Sequence, residues 1–184
     1  MDLPPPLGGA VKQTRWTVIT GAPCSGKTSV IRVLEKRGLP VVHEVARSFI
    51  DRQLARGLSM ARIKADPVSF EQGILAEKLA IEASLPPDRG VFLDRGVPDS
   101  IAYFRFEGLD TRAPVAASRI RRYRRVFLLD RLAMAPDPVR TEDEAAAVRL
   151  EALLIESYRR LGYLLIRIPA VSLQERVEQV LQAC

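Results

Sequence analysis

A chain of 184 residues with 47% hydrophobic and 27% charged residues amounts to one domain, long enough to bury a central sheet. No apolar run approaches the roughly 18 residues of a membrane crossing, and the two cysteines, Cys24 and Cys184, make a poor disulfide framework, so a reducing cytoplasm is expected. The net charge of +6 favours anionic ligands, and it is carried by arginine because lysine occurs only at positions 12, 27, 36, 64 and 78.

Residues 1–15, MDLPPPLGGAVKQTR, hold three prolines and two glycines and lack the apolar stretch of a secretory signal; they are expected to form a flexible N-terminal arm. Residues 16–184 contain no repeat, low-complexity block or linker and are expected to form a single domain. RWTVIT is a β-rich run ending at Gly21, and KTSVIRVLEKRG places Val30, Ile31, Val33 and Leu34 at helical spacing before Gly38.

Between them lies GAPCSGKT, the glycine-rich phosphate-loop pattern. The backbone of Gly21, Ala22, Pro23, Cys24, Ser25 and Gly26, with the helix start at Lys27, Thr28 and Ser29, makes an anion cradle. Lys27 would reach the β- and γ-phosphates, and the Thr28 hydroxyl is a hard oxygen suited to Mg²⁺.

LPVVHEV predicts a second strand and ARSFIDRQLARG a helix. Glu44, at the end of that strand, is a candidate base that orients an acceptor hydroxyl; a solvated glutamate, or one paired with Arg47 along the helix, is the other reading. Alternation points His43 away from Glu44, which suits a structural role. DPVSFEQGILAEKLAIEASL predicts a longer helix ended by Pro86 and Pro87, and GVFLD a third strand.

Asp94, closing that strand, is the Walker-B candidate for holding Mg²⁺ directly or through water, unless it caps the next helix or pairs with Arg95. Arg95 could clamp a substrate or a transferring phosphoryl group. Phe70, Gln72, Tyr103 and Phe104 offer aromatic and amide groups suited to a base-like ring, if they are not core.

SRIRRYRRV offers only Tyr123 for stacking and leads directly into the strand RVFLLD. It fits a solvated face or a patch for an acidic partner better than nucleic acid. DRLAMAPDPVRTEDEA, with Arg131, Asp137 and Arg140, is expected to form a lid, and Thr141 and Glu144 have the spacing of a capping box. Arg140 could act as an arginine finger supplied in cis, or be a basic loop residue in solvent. A long helix from about 142 to 161, the strand YLLIRIP, and a last helix opened by a Ser172–Glu175 capping box complete the chain.

Five buried-type strands alternating with helices predict an α/β fold, a five-stranded parallel sheet with helices on both faces and ligands at the carboxyl ends of the strands. Gly21, Glu44, Asp94 and Asp130 all fall at that rim.

From about Thr17 to Val180, the segments TGAPCSGKT, VVHEVARSFI, FLDRGVPDSIAYF, VFLLDRLAMAPDPVRTEDEA and SYRRLGYLLIRIPAVSLQER occur in this order. In them the chain resembles the AAA-domain ATPase/kinase family that includes the nicotinamide riboside kinase domain of NadR-type proteins. The resemblance implies a P-loop kinase-like fold, ATP with Mg²⁺, and functional roles for Lys27, Thr28, Asp94, Glu44, Arg47, Asp99 and Arg140. The expected function is therefore an ATP- and Mg²⁺-dependent kinase of a small, nucleoside-like acceptor, nicotinamide riboside being one candidate. The alternative is a regulatory ATPase or switch without an acceptor. A guanine-reading Asn-Lys-x-Asp motif cannot occur, since the sequence contains no asparagine.

Overall fold

The computed structural model describes residues 11–132 and 144–184. Residues 133–143 of the expected lid, with Asp137, Arg140 and Thr141, lie outside the described residues. The strands are β1 (Lys12–Gln13), β2 (Thr17–Thr20), β3 (Val41–Val42), β4 (Phe92–Asp94), β5 (Arg121–Arg122), β6 (Arg125–Leu129) and β7 (Leu165–Ile168). Helices α1 (Lys27–Lys36), α2 (Val45–Ala55), α3 (Met60–Ile63), α4 (Pro67–Ser84), α5 (Val97–Phe106), α6 (Arg112–Ser118), α7 (Glu144–Arg160) and α8 (Leu173–Gln182) lie between and after them.

The main sheet has the order β3-β4-β2-β6-β7, with every neighbouring pair parallel. These are the five strands that the sequence predicts. Parallel strands need crossovers, and alternation along each strand sends apolar residues to both faces. Ile19, Phe92 and Phe127 pack with α1 and α8 through Ile31, Leu34, Val177 and Val180. On the opposite face Val18, Leu93 and Val126 pack with Trp16, Tyr123, Tyr158 and Tyr163. A buried side chain of this size contributes roughly 1.5–3 kcal/mol. No helix of the described residues is long and apolar enough to cross a membrane.

Two features differ from the sequence reading. Lys12–Gln13, at the end of the expected arm, pair in parallel with Arg121–Arg122, so part of the basic run is itself a short strand. Helices α3 and α6 are too short to show a period; α3 is nonetheless capped by Ser59, whose hydroxyl accepts from the Arg62 amide at 3.3 Å.

The rim residues converge as the topology requires. Gly21 follows β2, Asp94 ends β4 and Asp130 follows β6. Glu44 lies two residues beyond β3 and is the N-cap of α2. At the far end of the chain the predicted capping box is present: the Ser172 hydroxyl accepts from the Glu175 amide at 3.3 Å, and the Ser172 amide donates to Glu175 Oε2 at 3.0 Å.

Candidate active site

The phosphate loop depends on backbone angles that side chains resist. Gly21 has φ +151°, and a Cβ there would meet Leu129 O and Ser25 Oγ at 2.7 Å. Ser25 Oγ donates to Ala22 O at 2.8 Å and folds the loop on itself. Helix α1 begins after Gly26 without a side-chain cap, leaving its N-terminus to an anion. Lys27 is 2% exposed, and its Nζ donates to Gly21 O at 2.9 Å and to Ala22 O and Ser25 Oγ at 3.1 Å. Thr28 is half-buried on the first turn of α1.

Asp94 is 1% exposed, and neither carboxylate oxygen has a hydrogen-bond partner among the described residues. Burial and the neighbouring Glu44 carboxylate push its pKa up to about 6, against Lys27 and Arg95, which pull it down. It neither caps α5 nor pairs with Arg95. Asp99 takes the first task, accepting from the Gly96 amide at 3.0 Å, and Glu44 and Asp99 bind the arginine. A buried, orphaned carboxylate beside a phosphate loop fits the hard-oxygen chemistry of a partly hydrated Mg²⁺, and Asp94 and the Thr28 hydroxyl are the residues that could hold one. Among the described residues no three His, Cys, Asp or Glu side chains form a metal cage.

Arg95 adopts φ +72°, uncommon for a residue with a side chain, and is nearly fully buried. Its Nε donates to Glu44 Oε1 at 2.8 Å, and its Nη1 donates to Gly21 O and Asp99 Oδ1 at 3.1 Å. The guanidinium also stacks over Tyr103, 5.2 Å from the ring centre. Arg95 thus ties the phosphate loop to the candidate base. Asp99 is fully buried and accepts also from Thr20 Oγ1 at 2.6 Å and Tyr158 Oη at 2.5 Å. Burial opposes its charge, but Arg95, Lys78 and the two hydroxyls outweigh burial and hold its pKa below the usual carboxylate range. All of this makes Asp99 a framework residue rather than a group facing a ligand.

A cavity of about 120 Å³ opens beside the loop, with Pro23, Glu44, Arg95, Phe70 and Tyr103 in its wall. Arg47 lines it too and reaches Asp51 at 3.9 Å rather than Glu44. Phe70 is braced edge-on by Phe49, ring centres 5.8 Å apart. Phe104 instead packs in the core with Leu75 and Val97, and Gln72 is exposed outside the cavity wall. His43 pairs with Glu35 on the surface at 3.0 Å, and Arg131 is held on α7 by Glu144 and Glu151. Asp130 is engaged by Arg167 at 2.5 Å.

The sequence reading missed two residues of this wall, Glu71 and Lys78, both on the buried face of α4. Lys78 Nζ donates to Gly96 O and Ser100 Oγ at 3.1 Å, and burial lowers its pKa. Burial raises the Glu71 pKa from 4.5 to about 7, with Lys78 opposing. A carboxyl raised in this way stabilises the fold fully below pH 4.5, and its contribution is lost as pH rises through about 7. The loss is on the order of 3 kcal/mol at pH 8. Urea unfolding of the wild type and Glu71→Gln should therefore diverge between pH 5 and pH 8, the wild type losing more; parallel pH profiles would rule out a buried, titrating Glu71.

The family described as AAA domain matches residues 16–176. No curated protein matches the chain. Among solved structures, the deoxyadenosine kinase of M. mycoides with dCMP and dCDP bound is similar at 12% identity and TM-score 0.63, over 91% of this chain and 97% of that one. The thymidylate kinase of Ehrlichia chaffeensis is similar at 13% identity and TM-score 0.66, over 93% and 98%. A NadR protein in complex with NR is similar at 15% identity and TM-score 0.69, over 92% of this chain; the chain spans about half, 51%, of its length. At such identities the likeness is one of fold, and that fold is the P-loop kinase type.

Proposed function

Because the chain belongs to the AAA domain family, we propose that it is a kinase using ATP and Mg²⁺ to phosphorylate a hydroxyl of a small, nucleoside-like acceptor. The cavity beside the phosphate loop carries this reading. A switch without an acceptor has no use for a recess walled by Phe70, Tyr103, Glu44 and Arg95 at the edge of the donor loop. The kinase neighbours and the NadR protein complexed with NR support the same class and make NR one acceptor to test.

In this reading the Lys27 ammonium exchanges its loop carbonyls for the β- and γ-phosphate oxygens, and the α1 N-terminus receives the rest of the anion. Mg²⁺ bound through Thr28 and Asp94 supplies neutralising charge to the phosphates. Arg95 fixes one oxygen of Glu44, orienting the carboxylate toward the cavity. Glu44 accepts the hydrogen bond of the acceptor hydroxyl and takes its proton as the acceptor oxygen bonds to the γ-phosphorus and the bond to the ADP oxygen breaks.

Incubation with ATP, Mg²⁺ and pooled nucleosides including NR, followed by mass spectrometry for a phosphate adduct, tests the proposal. Hydrolysis that is indifferent to every acceptor would replace the kinase with an ATPase. Glu44→Gln should lower turnover about 10- to 100-fold while leaving KM for ATP within about threefold. Unchanged turnover would remove Glu44 as the base.

A further inference from the structure

Arg176, on the first turn of α8, is a charged side chain in the interior, at 1% exposed. Its guanidinium meets backbone carbonyls. Nη1 donates to Ser25 O at 2.5 Å, Nη2 to Asp130 O at 2.7 Å and Nε to Pro169 O at 2.9 Å. These acceptors belong to three separate segments of the carboxyl rim: the phosphate loop, the end of β6 and the end of β7. Burying a guanidinium costs several kcal/mol unless its donors are satisfied, and a plain core position would be filled by an apolar side chain without that cost.

The bond to Ser25 has a geometric consequence. In a trans peptide the C=O and the N–H lie in the peptide plane and point in opposite directions. With the Ser25 carbonyl drawn outward to Arg176, the Gly26 N–H is turned the other way, to the side where an anion would sit before α1. Gly26 itself has φ +76°, and a Cβ there would come within 3.3 Å of Arg176 Nη1, so the guanidinium packs directly against the loop. It would act without touching the ligand.

We propose that Arg176 is the positioning residue of the phosphate loop, holding the Ser25–Gly26 peptide so that the Gly26 amide is aimed at a bound phosphate. The identity of that phosphate as part of ATP rests on the function proposed above, while the control of the loop does not. Arg176→Met removes all three donors at similar volume, and Arg176→Lys keeps the charge but can satisfy the three carbonyls only in part.

Hydrogen exchange on the nucleotide-free proteins, read on peptides spanning 21–29, should be faster in the Met variant and intermediate in the Lys variant, with α4 unchanged. ATP affinity measured calorimetrically should fall about 10-fold or more for Met, with partial recovery for Lys, and KM for ATP should rise more than kcat falls. A role in stability alone would lower the melting temperature but leave loop exchange and ATP affinity, both measured well below melting, at wild-type values. That result overturns the proposal. If the Met variant does not fold, the Lys variant decides by the same two readouts. A wild-type protein that binds no ATP would sink the kinase reading, and the exchange comparison would still decide for or against Arg176.

Discussion

Replacing Lys27 with alanine is expected to abolish phosphoryl transfer, by about 1,000-fold or more in kcat, because the ammonium already sits inside the loop that would hold the phosphates. The carbonyls of Gly21 and Ala22 and the Ser25 hydroxyl that it meets are neutral acceptors, weaker partners for an ammonium than the oxygens of a phosphate. ATP affinity should weaken by a smaller factor than turnover, since the backbone cradle and the helix terminus remain. Lys27→Met, which keeps the stem, separates lost charge from lost packing and should be equally inactive. Turnover within a few-fold of wild type would show that phosphate is held elsewhere.

Asp94→Asn should yield a protein that is more stable and inactive. At pH 8 the wild type holds a buried carboxylate whose pKa has risen from 3.8 to about 6, a cost on the order of 3 kcal/mol. That penalty is absent below pH 3.8, grows as pH rises and is complete once pH has passed about 6, so only the wild type should lose stability over this interval from this position. Asparagine removes the charge but leaves an amide without partners, so the recovered stability is a part of the total, read as a higher urea midpoint at pH 8 and a flatter pH profile. Turnover should fall at least about 100-fold, and its Mg²⁺ dependence should move to higher concentration. A destabilised Asp94→Asn protein with normal Mg²⁺ dependence would return Asp94 to the structural role that the sequence also allows.

Much of the frame was legible because it rests on patterns with strong physical causes. Buried parallel strands must be apolar runs, the loop between β2 and α1 needs its glycines, and the Ser172–Glu175 box announces α8. The wall of the cavity was harder to read. Glu71, Lys78 and Glu82 lie on the buried face of α4, where a binary pattern assigns charged residues to solvent; only the fold shows that this face turns toward Arg95 and Tyr123. The same bias hides Arg176, one basic residue in an otherwise ordinary capped helix. Phe104 and Tyr103 are adjacent and chemically alike, and which of them reaches the cavity depends on the rotation of α5, which the packing of its Val97 and Phe104 with Leu75 of α4 sets. Asp94 ends β4 and Asp99 opens α5 a few residues on; that the second is saturated while the first is orphaned follows in part from Thr20 and Tyr158, which no local window includes.

The saturation of Asp99 bears on how the molecule is made. Its donors come from Thr20, Arg95, Gly96 and Tyr158, the last of them late in the chain. An ionised carboxylate in the interior is tolerable only when its donors are in place together, so the network closes after α7 has docked. A ribosome-bound chain that has released the phosphate loop and β4 but not α7 therefore still lacks the Tyr158 hydroxyl that completes this network. A chain truncated before Tyr158 lacks one of the four donors that hold the buried Asp99 carboxylate.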